Sequence, residues 1–559
     1  MSPDTNQSQV APIDGHAVKP ADDVRNQPPE YQDIDLYAAE PVLTSVTDAF
    51  GAGWAQDRYT AMGKLAGSAA IMQAAHLANR HKPELQPFDR YGRRIDQVEF
   101  HPAYYQLMSA SMSHALHCLP WREARPGAHV ARATLFYLMS QTEQAHGCPI
   151  SMTYACLPAL EAAAPEIAAR VRGKVTGLDY DPRFLPMEQK TSATMGMAMT
   201  EKQGGSDVRA NITIARAVGP GWELTGHKWF CSAPMSDAFL TLAQTDQGLS
   251  CFYLPRFRPD GSVNRLQVNR LKDKLGNHAN ASSEVEFHGA YAELVGKPGR
   301  GVPAIIQMVA HTRLDCCIGA AATQRAAVAQ AIHHARHRST FGARLIDHAL
   351  MQQVLADLVI EQQAATLTAL RLAHAFDTAS DDPSQAAFAR IAVAIGKYWL
   401  CKRNPVVIAE ALECLGGAGY VEEGPMPRLY REAPLNGIWE GSGNVICLDV
   451  LRAFAKDPDA LPALLAEFEQ ARGMDRVYDR ALDNMISDLP DLLQQGQTAA
   501  RHMVERLALV LQAGLMLRHG QPDLAAAFVR TRLSGAGLRS FGAMPITGAE
   551  RLIDLANPV

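Results

Sequence analysis

The sequence predicts a multidomain α+β protein that is mainly α. Three observations carry that prediction. Apolar residues repeat at three- and four-residue spacing on both sides of the middle of the chain. Between them, short alternating apolar runs are separated by turn residues. Helices and strands come in separate blocks and not as alternating βα units, which argues against a doubly wound dinucleotide-binding sheet. No Gly-x-Gly-x-x-Gly follows a strand, so NAD is not the favoured cofactor.

Taken in order, residues 1–35 are rich in Pro, Asp, Gln and Asn and read as a mobile tail. Residues 36–185 read as an N-terminal helical domain, with Ala-rich runs over Tyr59 to Arg80 and Ala128 to Ala145. Within it, Arg90 to Asp96 reads as a polar connection. Residues 186–300 form an antiparallel β domain: alternating runs at Ile212–Val218, Ala238–Ala243, Cys251–Leu254 and Ser283–Phe287 are separated by Gly219-Pro-Gly221, Asp246-Gln-Gly248 and Pro259-Asp-Gly261. Helical pattern returns over 301–455, with long amphipathic candidates at Val302–Arg338, Met351–Asp377 and Ser384–Leu400, then a shorter one at Pro405–Leu415. Residues 456–559 form a further helical extension.

A chain of 559 residues is too long for one core, and about two to four domains are expected. The net charge of -5 gives no global nucleic-acid signature. Ten scattered cysteines, at 118, 148, 156, 231, 251, 316, 317, 401, 414 and 447, include no Cys-x-x-Cys and no zinc spacing, so no metal site is predicted. They fit buried free thiols in a reducing compartment. No secretory signal and no membrane-spanning run is seen, and a cytoplasmic location is expected.

Four stretches could carry chemistry. In Pro434-Leu-Asn-Gly-Ile-Trp-Glu-Gly-Ser-Gly-Asn444, Glu440 lies between the apolar pair Ile438–Trp439 and a glycine-rich run. A desolvated carboxylate has a raised pKa and becomes a better base near neutral pH. Read alone, the stretch fits a surface loop with one solvated acid better, because perturbed acids are a minority of acids. Met197-Ala-Met-Thr-Glu-Lys-Gln-Gly-Gly-Ser-Asp207 offers hydroxyls and unhindered amides to a polar ring edge or a pyrophosphate, or is simply a turn into a strand. Gly226-His-Lys-Trp-Phe-Cys-Ser232 suits one face of a planar heteroaromatic ring, or is a half-buried strand. Arg338-Ser-Thr-Phe-Gly342 ends a long helix, where an Arg binds phosphate or complements the helix dipole.

Together, Met199-Thr-Glu201, Gly205-Ser-Asp207, Arg338-x-Thr-Phe-Gly342, Gly416-Gly-x-Gly419 and Trp439-Glu-Gly441 make an ordered set, and the chain resembles the acyl-CoA dehydrogenase family from about Leu36 to Phe454. Within the family it is most similar to the AidB subfamily, flavoproteins linked to the bacterial adaptive response to DNA alkylation. Thr200-Glu-Lys-Gln-Gly-Gly-Ser-Asp207, His227-Lys-Trp-Phe230, Trp439-Glu-Gly-Ser-Gly-Asn444 and the C-terminal extension carry that likeness. The resemblance implies a middle β-barrel domain, a C-terminal four-helix bundle, one FAD per subunit and a homotetramer.

It also implies roles. Met199, Thr200, Gly205 and Ser206 would line the flavin edge and phosphates. Phe230, Cys231 and Ser232 would lie against the ring, and Ile438, Trp439, Gly441, Ser442, Gly443 and Asn444 would close over it. Arg338, Phe341, Gly416 and Gly417 match positions that reach FAD across a dimer interface. Ser206, Arg313 and Trp439 would meet the substrate. Glu440 matches a base that takes the α proton of an acyl-CoA thioester while the β carbon delivers hydride to flavin N5. An electron-transfer flavoprotein would reoxidise the flavin. Thr312, before Arg313, occupies the slot from which isovaleryl-type enzymes supply their base, so the helix base is absent. Trp439 replaces a smaller Tyr, which would narrow the acyl pocket.

In AidB-like proteins the extension is associated with double-stranded DNA. Here the balance turns basic from Arg501 onward, and Arg518, Arg530, Arg532 and Arg539 could reach phosphates. The same arginines fit a solvated, ion-paired helical face. A DNA-associated flavoprotein that protects DNA with little or no dehydrogenase activity is therefore the alternative to an acyl-CoA dehydrogenase.

Overall fold

The computed structural model describes residues 25–534 and 540–557. Of the tail expected over residues 1–35, residues 1–24 lie outside the described residues, and 25–35 are held in place. Asn26 donates to the carbonyl of Ser339 at 2.8 Å, and its own carbonyl accepts from Arg338 Nη1 at 2.7 Å. The rings of Tyr31 and His333 lie 4.9 Å apart. These residues find partners in the last turns of a long helix, Gly301–His337, and just beyond its end, which composition alone does not reveal.

The N-terminal block is helical at Pro41–Ala49, Gln56–Ala66, Ala69–Arg80, Pro102–Ser113, Ala128–Thr142, Gly147–Ala163 and Pro165–Val175. The run from Tyr59 to Arg80 breaks at Gly67–Ser68. A Cβ on Gly67 would sit 2.0 Å from the carbonyl of Ile34, and the Ser68 hydroxyl caps the next helix by accepting from the Ile71 N–H. The polar connection Arg90 to Asp96 is the turn and second strand of an antiparallel hairpin, Glu84–Phe88 with Arg94–Glu99. Asp89 accepts the N–H groups of Tyr91 and Arg93 across the turn, and Gly92 takes φ +79°. The second strand buries Asp96 and Val98, so an acid stands where apolar alternation would mark a strand.

The middle block is a seven-stranded sheet of Met195–Ala198, Ile214–Val218, Gly221–Ser232, Ala238–Thr245, Gly248–Pro255, Leu266–Leu271 and Ser282–Val295. It closes on itself because Ala238–Thr245 pairs with Gly248–Pro255 on one side and touches Ile214–Val218 on the other. Ala238–Thr245 runs parallel to Met195–Ala198 and to Ile214–Val218, while the other pairings are antiparallel.

Three long helices, Gly301–His337, Ala349–Thr378 and Pro383–Cys414, form the bundle with Gly443–Lys456. Pro383–Cys414 runs unbroken through Pro405, where two helices were expected. Burial along most of its length outweighs the roughly 3 kcal/mol that an interior proline costs. The extension adds Ala460–Glu469, Arg476–Gln495, Ala500–His519, Pro522–Leu533 and Ala549–Ala556. Buried Arg325 ties its end to the N-terminal block, donating to the Ala39 carbonyl and to Asn557 Oδ1, both at 2.7 Å. Among the described residues, no helix is long and apolar enough to cross a membrane.

Candidate active site

Glu440 lies in a turn that two charged side chains hold. The turn runs from Leu435–Gly437 to the start of the Gly443–Lys456 helix. Lys397, fully buried on Pro383–Cys414, donates to the carbonyls of Trp439, at 2.8 Å, and Gly441. Arg313 donates to the carbonyl of Glu440 at 3.0 Å and pairs with Asp449 at 2.7 Å. The carbonyls on either side of Glu440, and its own, are thus fixed to the bundle. Glu440 takes φ +59°, a conformation that costs a non-glycine residue about 1–2 kcal/mol and persists only where surroundings impose it. Trp439 is held by its indole N–H on Asn436 Oδ1 at 2.8 Å.

The Glu440 residue is half-buried, but its Oε2 is buried without a hydrogen-bond partner. Burial pushes the carboxyl above its ordinary range, and the Thr312 hydroxyl and the charges of Arg313 and Lys397 offset part of that rise. Thr312 therefore faces the same carboxyl. The helix slot and the turn slot for a base meet at one place, and only the turn carries an acid.

The other stretches converge here in part. The Met199–Ser206 loop is tied to the following strand by Trp229 N–H on the Thr200 carbonyl at 2.8 Å. Glu201 supports the loop from inside, in a fully buried pair with Lys228 at 2.8 Å. A Cβ on Gly205 would lie 2.4 Å from Thr200 Oγ1, so glycine is required there, and Ser206 is exposed. Phe230 is 48% exposed, and Ser232 Oγ lies 3.0 Å from Ser282 Oγ. The Cys148 thiol contacts Ser232 and Asn280 and feels the charge of Glu440, so strand and turn meet across it. Burial pushes that thiol up to about 12. Both amide atoms of Asn280 are buried without a partner, and burial lowers Lys274 beside it to about 8. An orphaned amide, paired hydroxyls and an exposed aromatic ring fit a planar ligand with a polar edge.

Two expectations, those for Cys231 and Arg313, are corrected, and the remaining residues are placed as follows. Cys231 points into the β core, because residues alternate along the strand and Phe230 and Ser232 take the other face. Arg313 braces the turn, with its guanidinium on Glu440 and Asp449, and is not free for a substrate. Ile438, at 64%, and Asn444 are exposed, Ser442 and Gly443 begin the helix, and Gly441 takes φ +104°. Arg338, Phe341, Gly416 and Gly417 lie away from Glu440: Thr312 and His337 are about 38 Å apart along one helix. Phe341 is fully exposed, Gly416 and Gly417 are exposed, and Arg338 holds the Asn26 carbonyl.

The extension's arginines are mostly engaged internally. Arg532, with a side chain 2% exposed, pairs with Glu361 at 2.8 Å and with Asp357, so it cannot meet DNA phosphates. Arg518 pairs with Glu467, an acid shared with Arg371. Arg530 is exposed, and Arg539 lies outside the described residues.

Sequence reasoning missed Lys397, Asp449, Asn280 and Lys274. Lys397 had a signal: it is a lone cation in the apolar run Ile391–Leu400. The others become neighbours only in the fold.

Comparison with known proteins gives the family. Residues 26–182 match the adaptive response protein AidB N-terminal domain, 196–290 the acyl-CoA dehydrogenase middle domain and 299–455 the acyl-CoA dehydrogenase C-terminal domain. AidB of Escherichia coli (strain K12) is 42% identical over 516 residues, 92% of this chain and 95% of that protein. Acyl-CoA dehydrogenase family member 11 of Caenorhabditis elegans is 27% identical over 499 residues, 82% of this chain and 80% of that protein. The apo form of Bd2924 superimposes with TM-score 0.81 at 28% identity, covering 88% of this chain and 99% of that one. Caenorhabditis elegans ACDH-11 in complex with C11-CoA shares the fold, with TM-score 0.83 at 22% identity over 99% of this chain and 95% of that one. On these matches, the chain belongs to the acyl-CoA dehydrogenase family, in its AidB branch.

Proposed function

We propose that the protein is an FAD-dependent acyl-CoA dehydrogenase with Glu440 as its base. The observation that carries this reading is the Glu440 carboxyl itself: one oxygen buried without a partner, on a turn braced by Lys397 and Arg313. Members of the family bind FAD. Met199, Thr200, Gly205, Ser206, Phe230, Ser232 and the turn from Ile438 to Asn444 would hold it. When bound, FAD supplies the acceptor for the hydride that leaves the β carbon. Glu440 takes the proton from the α carbon, and its raised pKa brings the base nearer in strength to that weak acid. The Glu440 N–H would polarise the thioester carbonyl. Trp439 walls the acyl side.

Arg338, Phe341, Gly416 and Gly417 belong to the same reading as groups offered to a second copy. The exposure of Phe341, Gly416 and Gly417 and the distance of all four from Glu440 suit that role, and a homotetramer would supply it. An electron-transfer flavoprotein is the proposed acceptor.

Anaerobic titration of the yellow protein with straight and branched acyl-CoAs, followed by flavin absorbance, tests the proposal. One thioester should bleach the flavin, and Glu440→Gln should slow that bleaching on the order of a thousandfold. A flavin that stays oxidised with every thioester would overturn the reading.

A further inference from the structure

A cavity of about 890 Å³ has no part in the proposed reaction. It is enclosed by the Ala69–Arg80 helix, the end of Ala128–Thr142, the later turns of Gly301–His337 and the segment 422–431. Gln330 in its wall is eighteen residues beyond Thr312 on one helix, roughly 27 Å along the axis. Its donors are in excess. Arg428 gives one nitrogen, Nη2, to the Thr142 carbonyl at 2.8 Å, while its Nε and Nη1 are buried without partners. Arg431 pairs with Glu422 but leaves Nε unmatched, and the Nε2 of buried Gln141 has no acceptor. Arg80, exposed at the rim, has no ion-pair partner among the described residues.

Buried polar groups are ordinarily satisfied, and an unmatched buried guanidinium is costly. Four unmatched nitrogens on Arg428, Arg431 and Gln141, all donors, share this wall. The wall carries both signs, Arg80, Lys82, Arg428 and Arg431 with Glu30, Glu422 and Glu423, and Glu422 is paired with Arg431. Beyond the effect of burial, His76 is lowered by Arg428 and Arg80, and His278 by Lys82 and Arg431. Guanidinium forks match phosphate oxygens in geometry. The same wall includes Tyr31, Met72 and Leu429, so the cavity also has an aromatic and apolar side for a larger group.

We propose that this cavity binds a phosphate ester of nucleotide size, with Arg428 and Arg80 holding the phosphates. The inference is independent of the dehydrogenase reading.

The test is calorimetric titration of the full-length, FAD-loaded protein with ADP and, separately, with inorganic pyrophosphate. Both should bind. Arg80→Gln and Arg428→Gln should each weaken binding on the order of tenfold, since each removes charge-assisted hydrogen bonds. Glu423→Gln removes an exposed acid from the rim and should tighten it. Arg80 is exposed, so its variant carries the test even if Arg428→Gln does not fold. The proposal is overturned if neither probe binds, or if ADP binds with an affinity that both arginine variants leave unchanged. It is equally overturned if ADP releases the flavin, because the cavity would then belong to the cofactor. Loss of acyl-CoA-dependent bleaching alone would leave these outcomes unaffected.

Discussion

The Glu440 turn and the C-terminal extension both looked like places where charge meets a ligand, and the fold treats them oppositely. At the turn, cations bind backbone carbonyls and leave the carboxylate oxygen unpartnered. In the extension, Arg532 and Arg518 are neutralised by Glu361, Asp357 and Glu467. An acid left buried and unmatched costs stability and is available to a substrate. An arginine matched by buried acids adds cohesion and is unavailable to a partner. Charge in a sequence therefore points to function only once its partners are known.

The largest way to sharpen that contrast is Arg532→Gln. It leaves Glu361 with Arg403 alone and should cost about 4 kcal/mol, as removal of one member of a buried ion pair does. The pH dependence follows. Burial pushes Glu361 up, but Arg403 and Arg532 more than offset it and hold the carboxyl at about 2. Its unfolded value is 4.5, so its contribution is full above that pH and is lost as pH falls through about 2. Urea unfolding at a series of pH values should show this acid-side loss in the wild type and a smaller one in Arg532→Gln. Equal slopes would mean that the pair does not hold the extension in place.

Lys397→Met probes the other side. It removes the donor from two carbonyls flanking Glu440 and should cost on the order of 3 kcal/mol in urea unfolding. The loosened turn should also alter the pH profile of flavin reduction. The wild-type rate rises as pH passes the raised Glu440 pKa, because only the carboxylate is a base. The charge of Lys397 holds the Glu440 carboxyl down, so its loss should move the variant's limb toward alkaline pH. An unchanged stability with an unchanged limb would show that the brace is incidental.

The block order and the residues of the turn were legible because they rest on local signals: apolar spacing, turn residues and an ordered motif set. The two bundle helices read on either side of Pro405 were one, because proline's local penalty is visible in sequence and the burial that overcomes it is not. The hairpin at 84–99 was hidden for another reason: burial alternates along its second strand, but one of the two buried positions is an acid, Asp96. Arg313 was placed rightly beside Glu440 but given the wrong task, because Asp449 is 136 residues away in sequence. Cys231 illustrates a finer limit: motif membership names a position, and strand alternation decides which face its side chain takes.

Arg530 gives the smallest expected effect. It is exposed on Pro522–Leu533, beside the two buried arginine pairs, and is the one described residue of the expected DNA set with an accessible side chain and no acid against it. Arg530→Glu should change unfolding stability by no more than about 0.5 kcal/mol, as exposed substitutions do. A duplex held by the extension would show a salt-dependence slope reduced by about one in the variant, the loss of a single phosphate contact. If DNA binding is present and its slope is unchanged by Arg530→Glu, the basic turn of the extension is cohesive throughout, and duplex contact must come from another face.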